Sequence, residues 1–365
     1  MSSAALGVGG SGPLAGRLAP LVAAAQDCLL RNVVPGRPGY LRAGGGYPDP
    51  WTRDAAINTW QAAAWLIPDV AAATLEMVCE PDGSAVVWDD QWWDQVIWLL
   101  GARELALVTG ERHLAARGLA VGAATLARLD ERCLDTATGL YLGPAVMADG
   151  ITGYPPHLHE TGNASSFVLD HPATHRIAAG STNALYALAL AALGDLAEAA
   201  GGDPGPWRNR SAAQAARVRQ HFWHQDGRST YLIVGGSPTS GQEGLGLALA
   251  ILSGVVTPAV ARRIVAEAHR EPYGLPAVWP PFPGLPAGRF GRHGTALWPM
   301  VMAVWAQAVA VTGDSDTFGA ELAALCRLFE ASEGSFFEVY SPLTGEPDGG
   351  WQAGRDWRSE PDQTW

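Results

Sequence analysis

The chain has 365 residues, of which 48% are hydrophobic and 16% are charged, and its formal net charge is -12. This composition supports a large folded core and excludes a mainly disordered chain. The negative charge argues against nucleic acid and against an anionic membrane as partners.

The four cysteines, Cys28, Cys79, Cys133 and Cys326, lie far apart and mostly in apolar helical sequence. Their spacing is not a metal-binding pattern, so we expect buried free thiols in a reducing compartment, the cytoplasm. The first ten residues show no basic start and no long apolar region, so no secretory leader is expected. No run of about 18 uninterrupted apolar residues indicates a membrane span.

Runs rich in alanine and leucine with helical periodicity dominate the chain, and strand patterns are sparse. In chain order, the predicted helices cover about 13–33, 54–66, 69–79, 87–109, 111–131, 181–199, 205–223, 242 onward, 257–269, a tenth that follows His293 and includes Trp298, and 315–332. Nearly all-apolar helices alternate with amphipathic ones, and the apolar ones follow loops rich in glycine, tryptophan and acids.

This alternation predicts an inner and an outer ring of helices, with the loops before the inner helices gathered at one end. The predicted fold class is all-α, an (α/α)6 barrel or six-hairpin toroid, as a single domain over residues 1–365. The chain stops at Gln363-Thr364-Trp365, where a twelfth helix is expected to begin. We therefore expect a C-terminally incomplete barrel that lacks its last inner helix.

The first of these loops ends in the string Trp51-Thr52-Arg53-Asp54, at the junction with an apolar helix. Arg53 offers a planar fork of donors, Asp54 accepts from hydroxyl groups, and Trp51 gives a flat apolar wall. Together they suit the face of a sugar. The alternative is that Asp54 only stabilises the first helical turn, where exposed amides favour an acid.

A second loop opens the next apolar helix with the same residue types, Trp88, Asp89 and Asp90. The tryptophan suits stacking on a sugar ring, and either acid suits a sugar hydroxyl. The alternative for one of the two acids is that it caps the helix.

The long loop over about 134–180 contains Asp149, Tyr154, Glu160 and most of the histidines. Asp149 is a candidate proton donor, although an Asp followed by Gly150 is also a common turn pair. Glu160 is the rival acid. The histidines show no His-Glu-x-x-His pattern, and we expect neither a metal nor a cofactor.

Two further candidate site residues are His293 and Glu338. His293 precedes the tenth predicted helix and is a candidate substrate contact. Glu338 lies in an aromatic stretch that precedes a turn rich in proline and glycine, followed by Trp351. An aromatic wall excludes water and strengthens electrostatic interactions, whereas the alternative for Glu338 is a surface strand position.

Three segments carry a resemblance to a known group of enzymes. The run Trp51 to Ala56 resembles the glucoamylase loop whose Arg and Asp hold the non-reducing sugar. The run Phe337 to Gly345 resembles the Glu-Tyr-Tyr-x-Pro-x-Thr-Gly segment of the glucosidase I group, whose Glu is the general base. The ending Gln363-Thr364-Trp365 resembles the start of the last inner helix. The chain thus resembles the six-hairpin inverting glycosidases, which include glucoamylases, trehalases, glucosidase I and mannosylglycerate hydrolases.

The resemblance implies an inverting, exo-acting glycoside hydrolase for a short α-linked glucosyl or mannosyl substrate. Such an enzyme needs a protonated acid and a carboxylate base. Glu338 matches the base by motif, while Asp149 is assigned as the acid from its loop position, because the acid segment of the glucosidase I group has only a partial counterpart at Glu160. The expected partner is a small carbohydrate, and the oligomeric state is left open. The candidate substrate contacts are Trp51, Arg53, Asp54, Trp88, Asp89, Asp90, Tyr154, Glu160, His293 and Trp351.

Two other functions fit the same sequence. A sugar isomerase or epimerase on the same barrel would use pocket histidines as acid and base, from the set His157, His159, His175 and His293. A non-catalytic carbohydrate-binding protein would have a tryptophan-lined groove without opposed acids. The glycosidase and the isomerase differ in the side chains that converge at the centre of the pocket, which are carboxylates in the first and histidines in the second.

Overall fold

The computed structural model describes residues 13–223 and 229–364. Contacts within the chain divide it into two compact units. The first comprises Met1–Leu134, Leu185–Ala213 and Pro361–Trp365, and the second comprises Asp135–Ala184 and Gln214–Glu360. The single domain over residues 1–365 stays a prediction. Trp365, which belongs to the expected twelfth helix, lies outside the described residues.

Helices form most of the first unit. They are α1 (Pro13–Arg31), α2 (Thr52–Asn58), a π turn (Thr59–Ala63), α3 (Ala64–Leu66), α4 (Pro68–Met77), a 3-10 helix (Trp92–Ile97), α5 (Trp98–Thr109) and α6 (Arg112–Cys133). The strands Val33–Val34 and Tyr40–Leu41 pair antiparallel. The helices α7 (Gly180–Ala199) and α8 (Gly205–Phe222) have residues in both units.

The second unit contains further helices and short strands. Its remaining α-helices are α9 (Gly244–Leu252), α10 (Pro258–Glu267), α11 (Pro299–Thr312) and α12 (Ser315–Ala331). Its short 3-10 helices are Ile151–Gly153, Pro156–Leu158, Val168–Asp170 and Pro172–Arg176. A three-stranded antiparallel sheet has the order Ile177–Ala179, Thr230–Val234, Ser237–Ser240. The other strands are Leu140–Tyr141, Gln242–Glu243, Val278–Trp279, Trp351–Gln352 and Arg355–Asp356, and the strand Leu134–Asp135 has one residue in each unit.

The predicted helices agree with the observed ones to within a few residues, apart from a later start for the fourth. Proline begins α4, α10 and α11, where its fixed backbone angle suits the first turn and its missing N–H costs nothing. Gly110 and Gly313 end α5 and α11 in the left-handed conformation that favours glycine. Residues 293–298, which precede the tenth helix, form a buried loop.

Close helix packing in the first unit depends on small residues. A Cβ atom built on Gly122 in α6 would lie 2.1 Å from Leu99 Cδ2 and 3.1 Å from Leu193 Cδ2. Both leucines are almost fully buried, so neither has room to withdraw. Glycine at this position therefore sets the distance between α5 and α6.

The four cysteines are buried free thiols, as predicted. Burial raises the pKa of Cys28 to about 11 and the pKa of Cys79 and Cys133 to about 12, so these three thiols are not ionised near neutral pH. Within the described residues, no helix is long and apolar enough to cross a membrane.

Glu243, the residue before α9 in the second unit, is a buried carboxyl. Desolvation raises its pKa to about 8, although hydrogen bonds with Ser181 act in the opposite direction. Its Oε1 atom has no hydrogen-bond partner among the residues that the structure describes. Glu243 lies between a cavity of about 20 Å³ and a second of about 10 Å³, each with room for about one water.

We expect Gly122→Ala to lower the free energy of unfolding by about 1–3 kcal/mol, because the added methyl group overpacks Leu99. Chemical denaturation measures the change. Gly16→Ala in α1 is the matched control, since no atom lies within 4 Å of the Cβ that it adds. A helical Ala in the open should stabilise by about 0.5–1 kcal/mol. Equal effects of the two substitutions would contradict the packing argument.

We expect Glu243→Gln to stabilise the protein at pH 8 but not at pH 4. Between the ordinary carboxyl pKa of 4.5 and about 8, the folded chain keeps a proton that the unfolded chain has lost. Stability therefore falls as the pH rises through this window, and the glutamine removes that loss, by roughly 2–4 kcal/mol at pH 8. Denaturation of both proteins across this pH range measures it, and parallel stability curves would show that Glu243 is ionised in the folded chain.

Candidate active site

The segment before Asp149 is held in an unusual backbone conformation. Met147 is buried and has a φ of 67°, in the left-handed region that a side chain such as methionine rarely adopts. The hydroxyl of buried Tyr154 donates to Ala148 O at 2.6 Å and accepts from Ala145 N at 2.9 Å. These contacts fix the backbone that presents Asp149, and such strain is commonly found at functional sites.

Gly150 is extended, with φ -103° and ψ 136°, so Asp149 and Gly150 do not form the common turn pair. The glycine is needed for space. A Cβ at this position would lie 1.9 Å from both His293 Nδ1 and Gln352 Oε1. The chain of residue 150 therefore lies directly against a polar contact between His293 and Gln352.

His293 links Asp149 to Gln352. Its Nε2 atom lies 2.7 Å from Asp149 Oδ1, and its Nδ1 atom lies 2.8 Å from Gln352 Oε1. The Thr152 hydroxyl donates to the same Gln352 oxygen at 3.1 Å. The imidazole is 6% exposed and the Asp149 side chain is 25% exposed, so solvent reaches the acid more readily than the histidine.

Glu338 is paired with Arg292, the residue before His293. Arg292 Nη2 lies 2.5 Å from Glu338 Oε2, and both side chains are 7% exposed. Arg292 Nη1 donates to the carbonyls of Gly349 and Arg358, and the guanidinium lies over the rings of Trp298 and Trp357. Because buried charges are costly unless they are paired, this network stabilises Glu338 as a carboxylate.

In the second unit, Asp149 contacts His293 and Glu338 contacts Arg292, so two consecutive residues of one loop bind the two acids. Sequence reasoning identified the two acids and His293 but not Arg292, Thr152 and Gln352. Arg292 could have been identified from its position, because it directly precedes His293 in the loop before an apolar helix. Nothing in the sequence pairs Gln352 with a histidine 59 positions earlier.

Other predicted site residues of this unit have different surroundings. Glu160 is exposed and accepts from Asn163 Nδ2 at 3.2 Å. Trp351 is half-buried, and its backbone exchanges hydrogen bonds with the loop of Arg292. Tyr154 is fully buried and its hydroxyl is used within the protein, which favours a role in holding the loop over contact with a substrate.

The remaining histidines of the long loop do not join the carboxylates of this unit. His157 and His175 are exposed, and His159 and His171 bond to backbone atoms of their own loop. Across residues 13–223 and 229–364, no group of three or more His, Cys, Asp or Glu side chains is placed to hold a metal ion.

In the first unit, Asp89 has a structural role at the start of the 3-10 helix. Its carboxylate accepts from the Thr52 hydroxyl at 2.6 Å and from the Gln91 amide at 2.8 Å. Arg53 lies 3.5 Å from Asp94, and both are buried. Asp54 is also buried. These contacts connect the first turn of α2 with the segment before α5 that contains Asp89 and the 3-10 helix.

The other predicted site residues of the first unit, Trp51, Trp88 and Asp90, are sequence neighbours of Thr52 and Asp89. The rings of Trp88 and Trp92 are stacked, with centroids 5.8 Å apart, and Arg132 covers Trp88 at 4.3 Å. Trp51 is 41% exposed and Asp90 is exposed. Trp51 and Asp90 are therefore open to solvent, whereas Arg53 and Asp54 are not.

Solved structures with this fold support the architecture. A mannosylglycerate hydrolase from Thermus thermophilus in complex with glucose matches with a TM-score of 0.70 and 19% identity, covering 95% of this chain and 98% of that one. A rhamnosidase from Klebsiella oxytoca with rhamnose bound matches with a TM-score of 0.68 and 14% identity, covering 100% of this chain and 64% of that one. Neutral trehalase from Saccharomyces cerevisiae matches with a TM-score of 0.56 and 12% identity, covering 84% of this chain and 71% of that one.

These matches confirm the predicted (α/α)6 barrel. No curated protein sequence matches the chain closely enough for comparison. The family model for the mannosylglycerate hydrolase MGH1-like glycoside hydrolase domain matches residues 47–365. That range covers most of the chain and every candidate site residue. The protein is a glycoside hydrolase, and it belongs to the mannosylglycerate hydrolase MGH1-like family.

Proposed function

We propose that the protein is an inverting, exo-acting glycoside hydrolase for a short α-linked glucosyl or mannosyl substrate. One observation carries the proposal. Asp149 and Glu338 come from distant parts of the chain, yet consecutive residues, His293 and Arg292, bind them. A pair of carboxyl groups from separate loops is what most glycoside hydrolases require, and the inverting course is inferred from the resemblance to inverting six-hairpin glycosidases.

Glu338 is the general base. The ion pair with Arg292 favours its carboxylate form, which is the form that accepts a proton from water. Backbone contacts fix its position, because Glu338 N donates to Glu360 O at 2.9 Å and Val339 N donates to the Ser359 hydroxyl at 2.8 Å.

Asp149 is the general acid. The bond from the anomeric carbon to the leaving oxygen breaks, and that oxygen takes the proton of Asp149. A water molecule attacks the anomeric carbon from the opposite face and gives its proton to Glu338. The product carries a new carbon–oxygen bond with inverted configuration, so an α-glycoside yields a β-sugar. Solvent then restores the two protonation states.

The nature of the substrate is inferred from relatives. The Thermus mannosylglycerate hydrolase was solved with glucose and, separately, with Tris and D-glycerate. These small polar ligands support a short substrate with a small polar leaving group. We further propose that the first unit contacts sugar through Trp51, Arg53, Asp54, Trp88 and Asp90, because aromatic faces next to carboxylates and a guanidinium suit polyhydroxylated rings.

The histidines give no support to an isomerase. That alternative needs histidines to converge, whereas His293 contacts Asp149, and the rings of His159 and His171 bond to backbone atoms of their own loop. The non-catalytic alternative needs an absence of paired acids, which the contacts of Asp149 and Glu338 oppose.

We expect Glu338→Gln to reduce kcat about 10²- to 10⁴-fold on the substrate that wild type hydrolyses, because glutamine cannot take the proton of water. Proton NMR of the first product, on a panel of α-glucosides and α-mannosides that includes mannosylglycerate, should show the β-anomer. His157→Gln, in an exposed loop position, is the control. Initial release of the α-anomer would refute inversion, and full activity of the variant would refute the base.

We expect Asp90→Asn to raise KM about 3- to 30-fold with little change in thermal stability, because Asp90 is exposed and a charged acceptor contributes more to a hydroxyl contact than an amide does. The matched change is Asp89→Asn. It should lower stability, since Asp89 accepts from Thr52 and Gln91. Steady-state kinetics and thermal unfolding separate the two effects, and an unchanged KM for Asp90→Asn would remove it from the sugar contacts.

A further inference from the structure

Each ring nitrogen of His293 has one partner. Nδ1 lies 2.8 Å from Gln352 Oε1, an atom that also accepts from the Thr152 hydroxyl. An amide oxygen only accepts, so His293 Nδ1 carries a proton whatever the charge of the ring. Nε2, 2.7 Å from Asp149 Oδ1, is the nitrogen that faces the acid.

A protonated His293 would act on Asp149 at short range. The imidazole is almost fully buried, so water screens its charge weakly, and the partner atom is 2.7 Å away. The attraction is small while Asp149 is a neutral acid and becomes large once it is a carboxylate. An interaction that grows as the acid gives up its proton accelerates that step.

We propose that His293 is a positioning residue that, as an imidazolium, stabilises the Asp149 carboxylate formed when Asp149 gives its proton to the leaving oxygen. This inference rests on the proposed role of Asp149 as the general acid. His293 keeps both of its protons during the step, and the proton that leaves is that of Asp149. The same attraction makes Asp149 lose its proton at lower pH, so the enzyme gains rate and is confined to acidic conditions.

Other charged groups face His293. Arg292 precedes it and is engaged by Glu338. Glu243 lines the same cavity of about 10 Å³ as His293 and Trp298, whose indole lies 5.0 Å from the imidazole. Burial raises the pKa of Glu243 to about 8, so Glu243 could also contribute to the alkaline limb of a pH–rate profile. The test must therefore distinguish the ionisation of Asp149 from that of Glu243.

The experiment is the pH profile of kcat/KM for wild type, His293→Gln, Glu243→Gln and His157→Gln on the best substrate of the panel. Glutamine at position 293 removes the positive charge. We expect His293→Gln to lower the maximal kcat/KM about 10- to 100-fold and to move the alkaline midpoint up by about 1–3 pH units. Glu243→Gln and His157→Gln should leave that midpoint at its wild-type value.

Two outcomes would overturn the inference. In one, His293→Gln lowers the rate but leaves the alkaline midpoint unchanged, which is the result of a merely structural contact. In the other, the midpoint moves with Glu243→Gln. Asp149→Asn tests the underlying function separately, because a variant that keeps the wild-type rate refutes Asp149 as the acid whatever His293 does.

A measurement on the wild-type protein remains decisive if His293→Gln does not fold. Nitrogen-15 NMR of the nine histidines, with His293 assigned, should show both ring nitrogens of His293 protonated at the pH of maximal kcat/KM. A ring that is protonated at one nitrogen only at that pH would refute the proposal.

Discussion

The buried ion pair of Arg292 and Glu338 is the interaction on which the loops of the second unit depend. Each partner is nearly inaccessible to water, so either one alone would be strongly unfavourable there. Arg292 also satisfies the carbonyls of Gly349 and Arg358. One guanidinium therefore fixes three loop segments, and its planar fork of donors suits this better than a lysine would.

The two carboxylates of the unit have different surroundings, and the difference matches the roles proposed for them. Glu338 is held by a permanent cation and is 7% exposed. Asp149 is 25% exposed and is held by a side chain whose charge depends on pH. A base must be ionised before the substrate arrives, whereas an acid must exchange a proton in each cycle. Fixed charge suits the first task and titratable charge suits the second.

Much of the fold could be predicted from the sequence because helix signals are local. Apolar periodicity, proline at the start of α4 and glycine at the end of α5 each depend on a few neighbouring residues. Glu338 was proposed from a short motif and Asp149 from its loop position. The partners of these acids were missed because Arg292, Thr152 and Gln352 acquire meaning only from loop packing. The alternative of a turn pair at Asp149 and Gly150 was wrong for the same reason, since the constraint on Gly150 is contact with distant side chains, not backbone rotation.

The cramped position of Gly150 has a consequence for how this site changes in evolution or in the laboratory. Any side chain at residue 150 would strike both His293 and Gln352. Replacing the histidine or the glutamine by something smaller opens space that only a simultaneous change at residue 150 can fill. The three positions are therefore energetically coupled and behave as one inherited unit. Libraries that vary one position at a time would record each of them as intolerant, although combinations of compensating residues can preserve the same volume.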